Sequence, residues 1–81
     1  MKVGVRFFAA LREAVGKRDI EQELPAGGTV QDLIDVLTRE HPVLCRHVPH
    51  TNFAVNRIHV DRQAMLQEGD EVACLPPVGG G

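Results

Sequence analysis

The chain has 81 residues, 43% of them hydrophobic, a formal net charge of −2, three Phe and neither Trp nor Tyr. That suffices for one small domain around an aliphatic core of Val, Leu, Ile and Ala, and is too little for two. With no Lys/Arg cluster there is no electrostatic footprint for nucleic acid or an anionic membrane, and the apolar run near the amino end, interrupted by Arg6 and Arg12, is far short of a membrane span.

Val3, Val5 and Phe7 alternate with Lys2, Gly4 and Arg6, the period-two pattern of a strand with one buried face, which predicts a strand over residues 2–8. Phe8 then falls on the opposite face. It is covered by the next helix, the more usual outcome, or belongs to a partner interface. Ala9 to Val15 carries helix formers, and Gly16 offers a stop. A second strand follows over 19–24 through Ile20, Gln22 and Leu24, ended by Pro25-Ala26-Gly27-Gly28. Thr29 with Asp32 three residues on resembles a capping box, and Val30, Leu33, Ile34 and Leu37 fall at i, i+3, i+4 and i+7. The main helix is therefore expected over 30–40, ended by Pro42, because the residue before a proline is pushed out of the α region.

Residues 41–52 are irregular. Phe53-Ala54-Val55 and Ile58 to Val60 then read as a hairpin around Asn56-Arg57, where Arg57 is less natural than Gly and implies a longer or a strained turn. Met65-Leu66 is expected to pack as an apolar patch, Glu68-Gly69-Asp70 is a turn, and Val72 to Leu75 forms the last strand.

No internal constellation reads as catalytic. Gly27-Gly28 lacks the spacing and the Lys-Ser/Thr of a phosphate loop. His41, Cys45, His47 and His50 have ligand types that suit zinc but not the usual paired spacings. A loop of solvated His with one buried Cys accounts for them better. Cys74 and His59 lack a third orienting group, so Cys74 reads as an inert core residue. Cys45 and Cys74 form no disulfide framework, no secretory leader is visible, and a cytoplasmic protein is expected.

The organising stretch is the last: Cys74-Leu75-Pro76-Pro77-Val78-Gly79-Gly80-Gly81. Pro76-Pro77 cannot extend a ladder, since proline lacks the N–H and fixes φ. Three residues without Cβ follow, able to enter a channel where a side chain would clash. The six residues from Pro76 reach at most about 20 Å, enough to enter a partner's active site while the domain stays outside. On composition alone a frayed terminus explains the same residues equally well. The chain thus divides into a domain over 1–75 and an extended tail over 76–81.

Leu75-Pro76-Pro77-Val78 with terminal glycines resembles the carboxyl end of molybdopterin synthase small subunits, members of the ubiquitin-like sulfur-carrier proteins. Phe7-Phe8-Ala9-Ala10-Leu11-Arg12-Glu13, Val55-Asn56 and Leu66-x-x-Gly69-Asp70-Glu71-Val72 resemble the same family, so the likeness spans nearly the whole chain. It implies an α+β fold of the ubiquitin-like β-grasp type, a mixed sheet packed on one main helix. It also implies that Gly81, with Gly80 before it, carries the chemistry. A ubiquitin-activating-like adenylyltransferase would use ATP to make the Gly81 acyl-adenylate, and a sulfur donor protein would convert it to a thiocarboxylate. The synthase large subunit, in a heterotetramer, would receive the tail and pass sulfur to cyclic pyranopterin monophosphate. On this reading the chain binds no cofactor and is not an enzyme alone. Phe8, Leu75, Pro76, Pro77, Val78 and Gly79 would meet the partner. The Val-Gly-Gly-Gly ending is also at home in the related carrier for thiamine thiazole synthesis. A ubiquitin-like protein modifier and a non-covalent interaction module are the other readings.

Overall fold

Strand β1, Lys2–Phe7, is the spine of the computed structural model, which describes residues 1–77. Its alternation sends Val3, Val5 and Phe7 to one face, where each is buried. Helix α1, Ala9–Val15, follows at once and ends on Gly16, whose φ of 82° allows its N–H to donate to the Arg12 carbonyl at 2.8 Å. Strand β2, Asp19–Glu23, returns antiparallel to β1 with Val5 opposite Ile20.

Helix α2, Val30–Glu40, has the full capping box: Asp32 N–H donates to Thr29 Oγ1 at 3.2 Å and Thr29 N–H to Asp32 Oδ2 at 2.9 Å. Its buried stripe is Val30, Leu33, Ile34 and Leu37, the four positions expected from periodicity. Two single-turn 3₁₀ helices, Pro42–Leu44 and Val48–His50, lead to β3, Asn52–Val55, β4, Ile58–Val60, and β5, Glu71–Leu75.

The strands form one sheet in the order β2-β1-β5-β3-β4. The central β1 and β5 run parallel, with Phe7 beside Cys74, and the other neighbours are antiparallel. Helix α2 covers one face of this mixed sheet, which is the β-grasp arrangement. Val72, Cys74 and Phe53 meet the α2 stripe, and Leu11, Leu24, Leu44 and Leu66 close the margins of the core.

Six expectations need correction. β1 stops at Phe7, and α1 leaves Phe8 38% exposed, because Phe8 is the residue at which the chain turns into that helix. β2 stops at Glu23, one residue early, while β5 starts one early at Glu71. Met65 does not pack with Leu66: an extended bridge to Thr29 puts the two on opposite sides, so Leu66 is buried and Met65 is exposed. Cys45 is exposed rather than buried, since Leu44 takes the inward position of its 3₁₀ turn.

The hairpin turn is the strained one. Asn56 and Arg57 both have positive φ, 49° and 71°, the geometry of a tight two-residue turn. Asn56 braces it from three sides: its N–H donates to the Glu71 carbonyl at 2.8 Å, its Nδ2 to Asp70 Oδ1 at 3.0 Å, and its Oδ1 accepts from Glu71 N–H at 3.0 Å.

Candidate functional site

Because β1 and β5 are parallel, their carboxyl ends lie at the same end of the sheet, and Pro76 and Pro77 follow β5 there. Phe8 N–H donates to the Cys74 carbonyl at 3.3 Å, one step past the last β1–β5 pair. Asn52 pairs with Leu75 as the last rung of β3 against β5. The fold thus brings exposed Phe8, half-buried Leu75 and exposed Pro76 and Pro77 to one end. Val78, Gly79, Gly80 and Gly81 lie outside the described residues.

Inward and outward residues alternate on the sheet, which decides what surrounds the tail root. Cys74, Phe53 and Val60 share the face toward α2, and Ala73, Ala54 and His59 the opposite one. The outward face carries small residues, Gly4, Ala54 and Ala73, with Arg6 beside them. Arg6 Nε donates to Asp19 Oδ1 at 2.8 Å, and this bond holds the guanidinium more firmly protonated than usual. Both side chains are largely solvated, so the pair orders the surface without contributing much to stability.

On the other side of the root, Pro76 and Pro77 border a shallow recess with Ala10, Leu11, His47, His50 and Thr51. The second 3₁₀ turn is tied down from two directions: Thr51 Oγ1 donates to the His47 carbonyl at 2.6 Å, and Arg62 Nη2 to the Val48 carbonyl at 2.8 Å. Arg62 also lies over the Phe53 ring, 5.8 Å from its centroid. Asn52 and Arg62 carry no local signal of these contacts. Asn52 sits before an apolar strand and looked like part of a loop, and no local spacing links Arg62 to residue 48.

Cys74 and His59 do not meet as a pair. Cys74 faces the core, where burial pushes its thiol up to about 12, and exposed His59 stands on the other face of β4. A thiol so shifted is protonated at neutral pH and is no nucleophile. Among the described residues no three His, Cys, Asp or Glu side chains come together to hold a metal ion, and no helix is long and apolar enough to cross a membrane.

The family model of the ThiS family matches residues 5–81. The chain is 38% identical to a Mycobacterium tuberculosis protein named molybdopterin synthase sulfur carrier subunit, over all of this chain and 99% of that one. Its fold superposes on the crystal structure of SAMP1 from Haloferax volcanii with a TM-score of 0.88 at 30% identity, covering the whole of both chains. It also superposes on a chain in the complex of subunits 1 and 2 of the molybdopterin-converting factor from Helicobacter pylori, with a TM-score of 0.74 at 27% identity over both full chains.

Proposed function

Since the chain belongs to the ThiS family, we propose that it is a sulfur carrier, the small subunit of a molybdopterin synthase, acting through the carboxyl group of Gly81. The observation that carries this reading is the end-to-end match to the Mycobacterium tuberculosis sulfur carrier subunit, on a fold whose central strand β5 leads directly into Pro76 and Pro77.

The chemistry follows from what a carboxylate lacks. It is ionised at neutral pH, with a reference pKa of about 3.3–3.7, and is a poor electrophile. An adenylyltransferase of the ubiquitin-activating kind uses ATP to convert it to the acyl-adenylate with release of pyrophosphate. A sulfur donor protein supplies sulfur that displaces AMP, either directly at the sulfide level or as a persulfide whose acyl-disulfide product a thiol then reduces, leaving the thiocarboxylate. The loaded tail then enters the large subunit, where sulfur passes to cyclic pyranopterin monophosphate to build the dithiolene. Gly79, Gly80 and Gly81 suit a narrow channel because they carry no side chain. Pro76 and Pro77 keep the base of the tail out of the sheet.

The domain's own contribution is the docking surface. Phe8, Leu75, Pro76 and Pro77 form an apolar margin around the tail root, and an apolar surface of this kind on a small domain suits a partner. The subunit complex of the Helicobacter pylori protein supports a large-subunit partner.

A second reading is favoured by the close likeness to SAMP1, a small archaeal modifier protein: Gly81 joined through its carboxyl to a lysine of another protein. A third is supply of sulfur to thiazole synthesis. One experiment separates them. The sulfur-loaded chain is offered to the large subunit with cyclic pyranopterin monophosphate and to thiazole synthase with its substrates, and the unloaded chain, with ATP and the activating enzyme, to a lysate probed for isopeptide conjugates. Dithiolene formation is expected; thiazole or conjugates without dithiolene would select one of the alternatives.

A further inference from the structure

The first carbonyl beyond the sheet, that of Pro76, accepts a hydrogen bond from Asn52 Nδ2 at 3.4 Å. Pro76 and Pro77 have no N–H, so neither can donate to a strand. Thr51, which would be the next rung after Asn52–Leu75, is already committed elsewhere. Its N–H donates to the Val48 carbonyl at 3.1 Å and its hydroxyl to the His47 carbonyl. Both strands therefore stop at the same rung. Among the described residues, the Asn52 side chain is the polar group that holds the chain past it, and the recess of Ala10, Leu11, His47 and His50 flanks the two prolines.

We propose that Asn52 is a positioning residue for the reaction of the tail: with that recess, it sets the direction in which the chain leaves Leu75 and aims it for entry into the activating enzyme's channel. The inference rests on the sulfur-carrier reading above. Its physical basis is entropic, because a chain whose first residues are already directed loses less freedom when it is threaded into a channel. Asn52 touches no reacting atom. Its effect belongs to binding of the tail and not to the chemical step.

The test is steady-state pyrophosphate release by the activating enzyme, with the full chain as varied substrate. Asn52→Ala removes the donor. Asn52→Asp keeps the shape but sets a carboxylate oxygen against the Pro76 carbonyl. Asn52→Gln keeps a donor. Loss of one long, exposed neutral hydrogen bond predicts a KM raised about two- to threefold for Ala and Asp with kcat little changed. Gln should recover most of that loss, and all three should keep the wild-type unfolding midpoint. A KM for Ala and Asp equal to wild type, or a Gln variant as impaired as Asp, overturns the positioning role. If the wild-type chain turns over while the variants match it, that role alone is lost. If the wild-type chain itself releases no pyrophosphate, the carrier reading falls, and the positioning role with it.

Discussion

The N–H of Phe8 donates to the carbonyl of Cys74 across the parallel β1–β5 pair, and this one bond puts an exposed aromatic ring at the end of the sheet where the tail begins. The neighbouring Phe7 is 1% exposed and belongs to the core. Two adjacent phenylalanines thus differ in burial, and substitution tests whether they also differ in role. Phe7→Ala should lower stability by about 3–5 kcal/mol, the range for a buried aromatic. Phe8→Ala, at a ring 38% exposed, should cost only about 1 kcal/mol while weakening association with the large subunit about tenfold. Chemical denaturation and binding calorimetry on the same two proteins check both halves.

The two cysteines should behave oppositely. Cys45 is exposed and Cys74 is buried, with its thiol raised to about 12 by desolvation. The folded protein should take up one equivalent of an alkylating reagent near pH 8, and two only in denaturant. Folding also holds a proton on Cys74 that the unfolded chain releases above its ordinary value of 9.0. Between about pH 9 and 12 the unfolded state binds fewer protons, so this group's contribution to stability is full below pH 9 and declines as pH rises. A denaturation series over that range in wild type and Cys74→Ala should show the decline in the first and not in the second.

The capping box of α2 offers a smaller effect of definite sign. Thr29→Ala removes the acceptor for Asp32 N–H and should destabilise the domain by about 1 kcal/mol, read as a shift in the denaturation midpoint.

At the hairpin the sign reverses. Arg57 has a φ of 71°, a conformation that costs an L-residue about 1–2 kcal/mol and glycine almost nothing. Arg57→Gly should therefore stabilise the folded protein by about 1 kcal/mol, less what glycine gives back in the unfolded chain. A lower midpoint would mean that the Arg57 side chain makes a stabilising interaction.

These cases also show what local pattern carries. The period of β1 and α2 was legible because one face of each is buried against the same core, so Val3, Val5, Phe7, Val30, Leu33, Ile34 and Leu37 all went where their spacing sent them. A side chain at Arg57, in a place that favours glycine, left a longer or a strained turn open, and the turn is the strained one. Phe8, Met65 and Cys45 were misjudged for a common reason. Phe8 and Cys45 sit where an element ends and Met65 in an isolated bridge between strands, and the exposure of such residues depends on tertiary neighbours that spacing does not encode. The tail root is the extreme case, since the Asn52–Pro76 bond joins residues 24 positions apart. The chemistry at Gly81 was read from the family resemblance and from the absence of any competing group, and it lies beyond the described residues.

The central claim is that Gly81 carries sulfur, and intact mass spectrometry tests it most directly. The full chain is incubated with ATP, the activating enzyme and a sulfur donor, beside a variant extended by one residue after Gly81, whose carboxyl is thereby an amide. The wild-type mass should rise by the difference between one sulfur and one oxygen atom, fragmentation should place the change on Gly81, and the extended variant should carry no sulfur there. A wild-type mass that stays fixed, or sulfur found equally on the extended variant, would contradict the account.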